Sequence, residues 1–210
     1  MRTYECPVLM GRHVQLEPLG FEHAEALLAA ANESRATYAL TTVPASATGM
    51  EAYIVAAHAE RDDGRSLPFV VRDAAGAVVG TTRFMEIEHW TWPAGTPAAP
   101  VPEGPDAVEI GYTWYAERVQ RTALNTEAKV LLCSHAFERW KVRRVTWKTD
   151  ARNLRSRTAI LRLGARFDGV LRANRPAADG GVRSTACFSM LAEDWPAARR
   201  TLEGRLERGR

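Results

Sequence analysis

Cysteine is scarce in this sequence, and long apolar runs are missing. Cys6, Cys133 and Cys187 are the only cysteines among 210 residues, and three distant thiols form neither a disulfide framework nor a Cys-x-x-Cys metal site. No apolar run approaches the length of a membrane-spanning helix, and the first residues lack the basic-then-apolar pattern of a signal peptide. We therefore expect a cytoplasmic protein without membrane contacts, in which Cys133 fills the core.

The motifs of several enzyme classes are missing as well. The sequence contains no Gly-x-x-x-x-Gly-Lys-Ser/Thr phosphate loop and no His-Glu-x-x-His zinc motif. No order of Ser, His and Asp stands out from chance. The histidines form no set with ligand-like spacing; they are His13, His23, His58, His89 and His135. We expect no metal ion.

The charged residues are unevenly distributed. Residues 139–175 contain twelve Lys or Arg and two Asp, a net charge of +10, whereas residues 84–117 contain six carboxylates and no Lys or Arg. A basic segment suits a polyanionic cofactor and an acidic one a cationic acceptor, but two solvated faces of opposite sign also explain the pattern. A nucleic-acid-binding module is disfavoured, because the basic residues spread over strand, loop and helix without a recognised motif.

Hydrophobic periodicity predicts alternating strands and helices along the whole chain. Strands are predicted at 13–17, 67–72, 78–88, 108–115, 143–149, 166–175 and 182–191. Helices are predicted at 22–32, at 50–61 and from about 126 through 140. A further helix is predicted to end at Gly164, and the last one spans 194–208 in a tail that extends to 210. The Pro/Ala-rich segment 89–105 is predicted to be a loop that serves as a spacer, a lid or a dimer contact. A length of 210 residues with 46% hydrophobic residues suits one domain over 1–210.

The stretch 108–129 contains the clearest functional pattern. A β-branched and aromatic run at 108–115 predicts a mostly buried strand, and a polar turn at 120–126 follows it. The next helix is predicted to begin with Asn125 or Thr126 as its N-cap. The first turn of a helix has unpaired N–H groups and the positive end of the helix dipole, so this segment can bind an anion.

This strand, loop and helix resemble the acetyl-CoA signature of the GNAT N-acetyltransferase superfamily. The family loop has the pattern Gln/Arg-x-x-Gly-x-Gly/Ala and wraps the pyrophosphate of coenzyme A. Gln120 matches the first position, Ala123 stands at the first glycine position, and Asn125 replaces the second. The resemblance implies that the cofactor is bound by the residues of this loop, namely Gln120, Arg121, Thr122, Ala123, Leu124, Asn125 and Thr126.

A second segment carries the same resemblance. Asn153-x-x-Ser156 is followed by a helix that ends in Leu163-Gly164-Ala165, which is similar to the family helix beside the pantetheine arm. The implied fold is the α/β GNAT fold, a mixed, mostly antiparallel, twisted sheet of about seven strands flanked by helices, with a splayed strand pair at the acetyl-CoA site. Among GNAT proteins, the sequence looks closest to the branch of ribosomal-protein N-terminal acetyltransferases.

The resemblance also implies roles for the strand at 108–115. Thr113, Trp114 and Tyr115 are expected to pair with the pantetheine amides, and backbone N–H groups near Trp114 and Tyr115 to face the developing oxyanion. The Trp114 and Tyr115 side chains are expected to pack in the core. Glu109 is the candidate base, acting directly or through water, and Glu86 on the neighbouring strand is the reserve candidate.

Two polar residues before the later helix have open roles. Ser156 either assists the departing thiolate, as its counterpart is thought to do in some relatives, or forms a local backbone bond at the helix start. Asn153 either caps that helix or contacts the cofactor.

These inferences predict an acetyl-CoA-dependent N-acetyltransferase that works by direct attack in a ternary complex. The acceptor is a primary amine, either a protein N-terminus or a small cationic molecule. A GNAT-fold protein that binds CoA without turnover is the alternative, on the ground of Ala123 and Asn125. Relatives often dimerise, so residues 89–105 and the closing hairpin are candidate homodimer surfaces.

Overall fold

The computed structural model describes residues 4–95 and 104–208. Eight strands within these ranges form one sheet; they are β1 Leu9–Met10, β2 Val14–Pro18, β3 Ser66–Asp73, β4 Val78–Glu88, β5 Ala107–Tyr115, β6 Arg144–Asp150, β7 Arg166–Pro176 and β8 Val182–Leu191. Five α-helices connect or follow them; they are α1 Ala24–Asn32, α2 Ala47–Asp62, α3 Ala123–Ser134, α4 Leu154–Arg162 and α5 Trp195–Arg208. The order of elements matches the prediction, with β1 as an additional two-residue strand, so the sheet has eight strands rather than about seven.

The strands follow the order β1-β2-β3-β4-β5-β6-β8-β7 across the sheet. Every neighbouring pair is antiparallel except β5 and β6, which are parallel. This pair is in register only from Ala107 with Arg144 to Glu109 with Thr146. Beyond Glu109 the two strands diverge, which confirms the predicted splayed pair and leaves the edge of β5 from 110 to 115 without a β6 partner.

Two bulges bend the strands beside this opening. Between the pairs Thr81–Trp114 and Arg83–Gly111, β5 contains one residue more than β4, and Tyr112 there has φ of 48°. On β4 the extra residue lies near Glu86, whose φ is also 48°. Bulges of this kind increase the local twist and redirect side chains, and they are frequent next to active sites.

Helices cover both faces of the sheet. On β4, Arg83 stacks on Tyr53 of α2, whereas Phe84 packs on Trp140, which follows α3. Consecutive residues of a strand point to opposite faces, so α2 and the end of α3 lie on opposite faces. The apolar residues predicted for the α3 face, which are Val130, Cys133, Phe137 and Trp140, are all buried.

Some helix boundaries differ from the predictions. Helix α3 begins three residues early, because Thr122 rather than Asn125 or Thr126 is its N-cap. It ends at Ser134 and continues as one π turn over His135–Arg139. Residues 96–103 of the predicted loop, and 209–210 of the tail, lie outside the described residues. Within the described ranges, no helix is long and apolar enough to cross a membrane.

Candidate active site

A cavity of about 880 Å³ opens where β5 and β6 diverge. Its walls come from the ends of β5 and β6, the first turns of α3 and α4, and the hairpin β7–β8. The structure brings to this cavity nearly all of the predicted site residues, namely Glu109, Thr113, Trp114, Tyr115, Gln120, Arg121, Thr122, Asn125, Thr126, Asn153 and Ser156. The loop residues Ala123 and Leu124 are not among its lining, and the side chain of Leu124 is buried in the core.

The first turn of α3 forms one side of the cavity. The Thr122 hydroxyl accepts a hydrogen bond from the Leu124 N–H at 3.3 Å and donates one to the Val119 carbonyl at 2.7 Å. Positive φ occurs at Arg121, with a value of 63°, whereas Ala123 and Asn125 lie inside the helix. Positions 123 and 125, where the family pattern has glycine, therefore do not require a left-handed backbone. Ala123 and Asn125 differ from glycine here only in the space that their side chains occupy.

The first turn of α4 also lines the cavity. Asn153 is the N-cap, since its Oδ1 accepts a hydrogen bond from the backbone N–H of Ser156 at 3.0 Å. Gly164 follows the last residues of this helix with φ of 97°, a conformation that favours glycine. Two helix N-termini therefore converge on one cavity, and each places partial positive charge there.

Gln120 forms hydrogen bonds to three segments that line the cavity. Its Nε2 donates to the Tyr115 carbonyl at 2.8 Å and to the Thr37 hydroxyl at 2.9 Å. Its Oε1 accepts a hydrogen bond from Arg155 Nη2 on α4 at 2.7 Å. Gln120 thus fixes the end of β5 to the α1–α2 connection and to α4.

The aromatic end of β5 is part of the core. Trp114 and Tyr115 are 4% and 8% exposed, which supports core packing for both side chains. Tyr38 lies edge-on to Trp114 and donates a hydrogen bond to the Tyr115 carbonyl at 2.8 Å. Burial raises the pKa of the Tyr115 phenol above its ordinary value, so this hydroxyl stays protonated.

Glu109 lies at the point where the strands separate. The carboxylate is buried and pairs with the Lys148 ammonium at 2.8 Å. Burial raises the pKa of Glu109, and the hydrogen bond and charge of Lys148 oppose that rise. Glu86, the reserve candidate, is exposed at the β4 bulge and does not line the cavity. Of the two carboxylates, Glu109 is the one that lines the cavity.

The acidic and basic segments neutralise each other along β6. Glu88 pairs with Arg144 at 3.4 Å, Asp106 with Arg143 at 3.3 Å, and Glu109 with Lys148. Three of the six carboxylates of the acidic stretch are thus paired with cations of the basic segment, whereas Glu86 and Glu117 are exposed. Glu109 is the one carboxylate among the described residues that line the cavity, whereas eight cationic side chains line it, namely Arg121, Lys129, Lys148, Arg155, Arg162, Arg175, Arg183 and Arg205.

Lys129 is a buried cavity residue that the sequence analysis missed. Its side chain on α3 is 5% exposed, and its Nζ donates to Thr113 Oγ1 at 2.8 Å and to Thr82 Oγ1 at 3.2 Å. Burial lowers its pKa to about 7. The available signal was its position one turn before Cys133 on the apolar face of the helix. Lysine at such a position usually reaches solvent, so only the tertiary structure shows the burial.

Comparisons with known proteins agree with this architecture. A family model described as an acetyltransferase (GNAT) domain matches residues 13–166. That match spans more than half of the chain. The protein is therefore an acyltransferase, and it belongs to the GNAT acetyltransferase family, which confirms the resemblance found in its sequence.

Solved structures share the whole fold. A GCN5-related N-acetyltransferase from Brucella melitensis is 29% identical to this chain, with a TM-score of 0.80. The match covers 98% of this chain and 87% of the Brucella chain. A protein from T. thermophilus, assigned as an acetyltransferase, is 31% identical to this chain, with a TM-score of 0.78. The match covers 98% of this chain and 100% of the T. thermophilus chain.

A further solved structure was determined with a ligand. Mycobacterium smegmatis RimJ in complex with CoA-disulfide is 21% identical with a TM-score of 0.74, and the match covers 95% of this chain and 92% of RimJ. At that identity the likeness concerns the fold alone. No curated protein matches this chain.

Proposed function

We propose that this protein transfers an acetyl group from acetyl-CoA to a primary amine by direct attack in a ternary complex. The observation that carries the proposal is one cavity that joins two converging helix N-termini to the buried carboxylate of Glu109. The first feature suits the phosphates of the cofactor, and the second suits removal of a proton from the amine.

Two features of the cavity suit acetyl-CoA, namely the edge of β5 and the positively charged region at the first turn of α3. The unpartnered edge of β5, at Thr113, Trp114 and Tyr115, suits amide groups that pair with it as an added strand. The first turn of α3 and the exposed Arg121 suit the pyrophosphate. The neighbour solved with CoA-disulfide has the same fold, which supports this fit.

Acetyl-CoA supplies the acetyl group as an activated thioester. Glu109 accepts the proton that the amine loses as its nitrogen forms the amide bond, and Lys148 keeps that carboxylate ionised until then. Backbone N–H groups near Trp114 and Tyr115 stabilise negative charge on the carbonyl oxygen. As the carbon–sulfur bond breaks, we expect Ser156 on α4 to donate a hydrogen bond to the thiolate that leaves.

Binding of acetyl-CoA and CoA, measured by calorimetry, tests the cofactor site. We expect wild type to bind in the micromolar range, on the order of −8 kcal/mol. Asn125→Arg places a long side chain in the first turn of α3 at the cavity and should abolish binding. The matched control is Ala56→Arg, which adds the same side chain to an exposed position of α2. Lack of binding by wild type would contradict the proposal.

Thiol release from acetyl-CoA in the presence of primary amines tests the reaction itself. We expect release that depends on the amine, with stoichiometric amide formation confirmed by mass spectrometry. Tight CoA binding without release for any amine, including peptides with free N-termini, would favour the non-catalytic alternative. With Ala123 and Asn125 inside α3, the remaining support for that alternative is the space that their side chains occupy.

A further inference from the structure

Two arginines face each other on the hairpin that borders the cavity. Arg175 of β7 and Arg183 of β8 are direct partners in the strand register, and both line the cavity. Like charges directly opposite each other destabilise a pair of strands. A repulsive pair at a cavity wall requires an explanation other than stability.

A polar chain holds both guanidinium groups in place. Arg183 Nε donates to Thr185 Oγ1 at 3.1 Å, Thr185 Oγ1 donates to Asn174 Oδ1 at 2.9 Å, and Arg175 Nε donates to the same oxygen at 3.3 Å. Thr185 is fully buried, which makes it a fixed anchor. Both anchors use Nε, and within the described parts of the chain no hydrogen bond or ion pair engages Nη1 or Nη2 of either arginine.

A bulge in β7 creates this arrangement. Leu171 pairs with Thr185, and the next pair is Arg175 with Arg183, so β7 contains two residues more than β8 in this interval. A regular ladder would place Ala173 opposite Arg183. Instead Ala173 has φ of 46°, an unfavourable conformation for alanine. The strained bulge brings a second arginine to the first.

The surroundings compensate the charge of the pair only in part. The pKa of Arg183 is lowered by burial and by the neighbouring charge of Arg175. Asp150 and Glu109 attract Arg183, but Asp150 is held by Arg152 through contacts of 2.7 and 3.0 Å, and Glu109 is paired with Lys148. The pair therefore presents net positive charge to the cavity.

The arginine pair lies on the same face of the sheet as the candidate base. Lys148 of β6 pairs with Cys187 of β8, and alternate residues of β8 point to one face. Cys187, Thr185 and Arg183 therefore share the face of Lys148, whose ammonium binds Glu109. The charges of Arg175 and Arg183 also act on Glu109.

We propose that Arg175 and Arg183 bind a carboxylate or phosphate group of the acceptor, so that the acceptors of this enzyme are amines that carry an anionic group. The proposal rests on the proposed function, because Glu109 marks the acceptor side only if it is the base. It narrows the expected acceptor, a protein N-terminus or a small cationic molecule, to amines with an anionic group. Two guanidinium groups held side by side match the oxygens of such an anion.

Inorganic phosphate is the first probe, because it tests the anion subsite without any turnover. Protein saturated with CoA is titrated with phosphate by calorimetry at constant ionic strength. We expect a Kd on the order of millimolar for wild type, weakened about tenfold or more in Arg175→Gln and in Arg183→Gln. Arg172→Gln is the matched control, since Arg172 is exposed on the same strand and does not line the cavity. Unchanged binding in Arg183→Gln would overturn the proposal.

Matched amines then test whether the subsite serves the acceptor. Thiol release is compared for amino acids and their amides, and for amino alcohols and their O-phosphates. We expect kcat/KM to be about tenfold higher for the anionic member of a pair, and this preference to disappear in Arg183→Gln but persist in Arg172→Gln. Equal rates for both members in wild type would overturn the assignment to the acceptor.

The affinity for CoA shows whether the arginine pair binds an anionic group of the acceptor or a phosphate of the cofactor. We expect Arg175→Gln and Arg183→Gln to bind CoA as wild type does. A loss of about tenfold in CoA affinity would assign the pair to a cofactor phosphate and overturn the proposal. Failure of the proposed function has a different signature, namely no thiol release with any amine although CoA binds, while phosphate binding to the CoA-saturated protein still reports on the arginine pair.

Discussion

The two sides of the cavity are built in different ways. The side formed by the first turns of α3 and α4 depends on short-range contacts, since Thr122 caps its own helix and Asn153 binds the backbone three residues ahead. The side around Glu109 is assembled from β5, β6, β7 and β8. The helical side presents backbone dipoles, whereas the sheet side presents ionised side chains whose protonation depends on their neighbours. We therefore expect binding and chemistry to be separable by mutation.

Removing the candidate base should have the largest effect. We expect Glu109→Gln to lower kcat by about 100-fold or more, with CoA affinity unchanged, because the amide cannot accept the amine proton. Glu86→Gln is the control and should change kcat little. Steady-state kinetics and calorimetry provide both values. Full activity in Glu109→Gln would leave Glu109 without a catalytic role.

Lys129 offers a test of burial rather than of catalysis. We expect Lys129→Met to increase the free energy of unfolding near pH 7 by about 2 kcal/mol, because a methionine is buried without desolvating a charge. The pKa of Lys129 falls from the ordinary 10.5 to about 7 on folding. Between these values the unfolded state holds a proton that the native state has lost, so wild-type stability rises with pH.

The advantage of Lys129→Met should therefore shrink as pH increases from 7 towards 10. Denaturant unfolding at several pH values measures this difference. A variant that is less stable than wild type at pH 7 would show that the hydrogen bonds to Thr82 and Thr113 outweigh the cost of burial.

Removing the N-cap of α4, on the helical side of the cavity, should have a moderate effect on stability and CoA affinity. Asn153→Ala removes the acceptor for the Ser156 N–H, and we expect it to lower the free energy of unfolding by about 1 kcal/mol. CoA affinity should fall while the pH dependence of kcat stays as in wild type. A change in that pH dependence would contradict the separation of the two sides.

Lys148 should tune the pH dependence more than the rate. Its positive charge opposes the rise in the pKa of Glu109, so we expect Lys148→Met to raise that pKa further. The base is active when ionised, and the rate falls as pH drops through its pKa. The acidic limb of the kcat/KM profile should therefore move to higher pH. An unmoved limb would indicate that another group controls it.

Several features of the fold and the site follow from local sequence. Alternation predicted the strands, and the motif Asn153-x-x-Ser156 placed the start of α4 at the cavity. The N-cap of α3 was misplaced because Thr122, Asn125 and Thr126 are all acceptable caps by residue type, and only the geometry at Val119 selects Thr122.

What the sequence by itself determined was the order of elements, the GNAT signature and the start of α4, because these depend on residues close together in the chain. The tertiary structure decided the partners of the charges. Glu109 meets Lys148, Lys129 is buried against Thr82 and Thr113, and Arg175 faces Arg183. Each of these contacts requires strand register, bulges or helix packing, since the energy of a charge depends on what surrounds it in space.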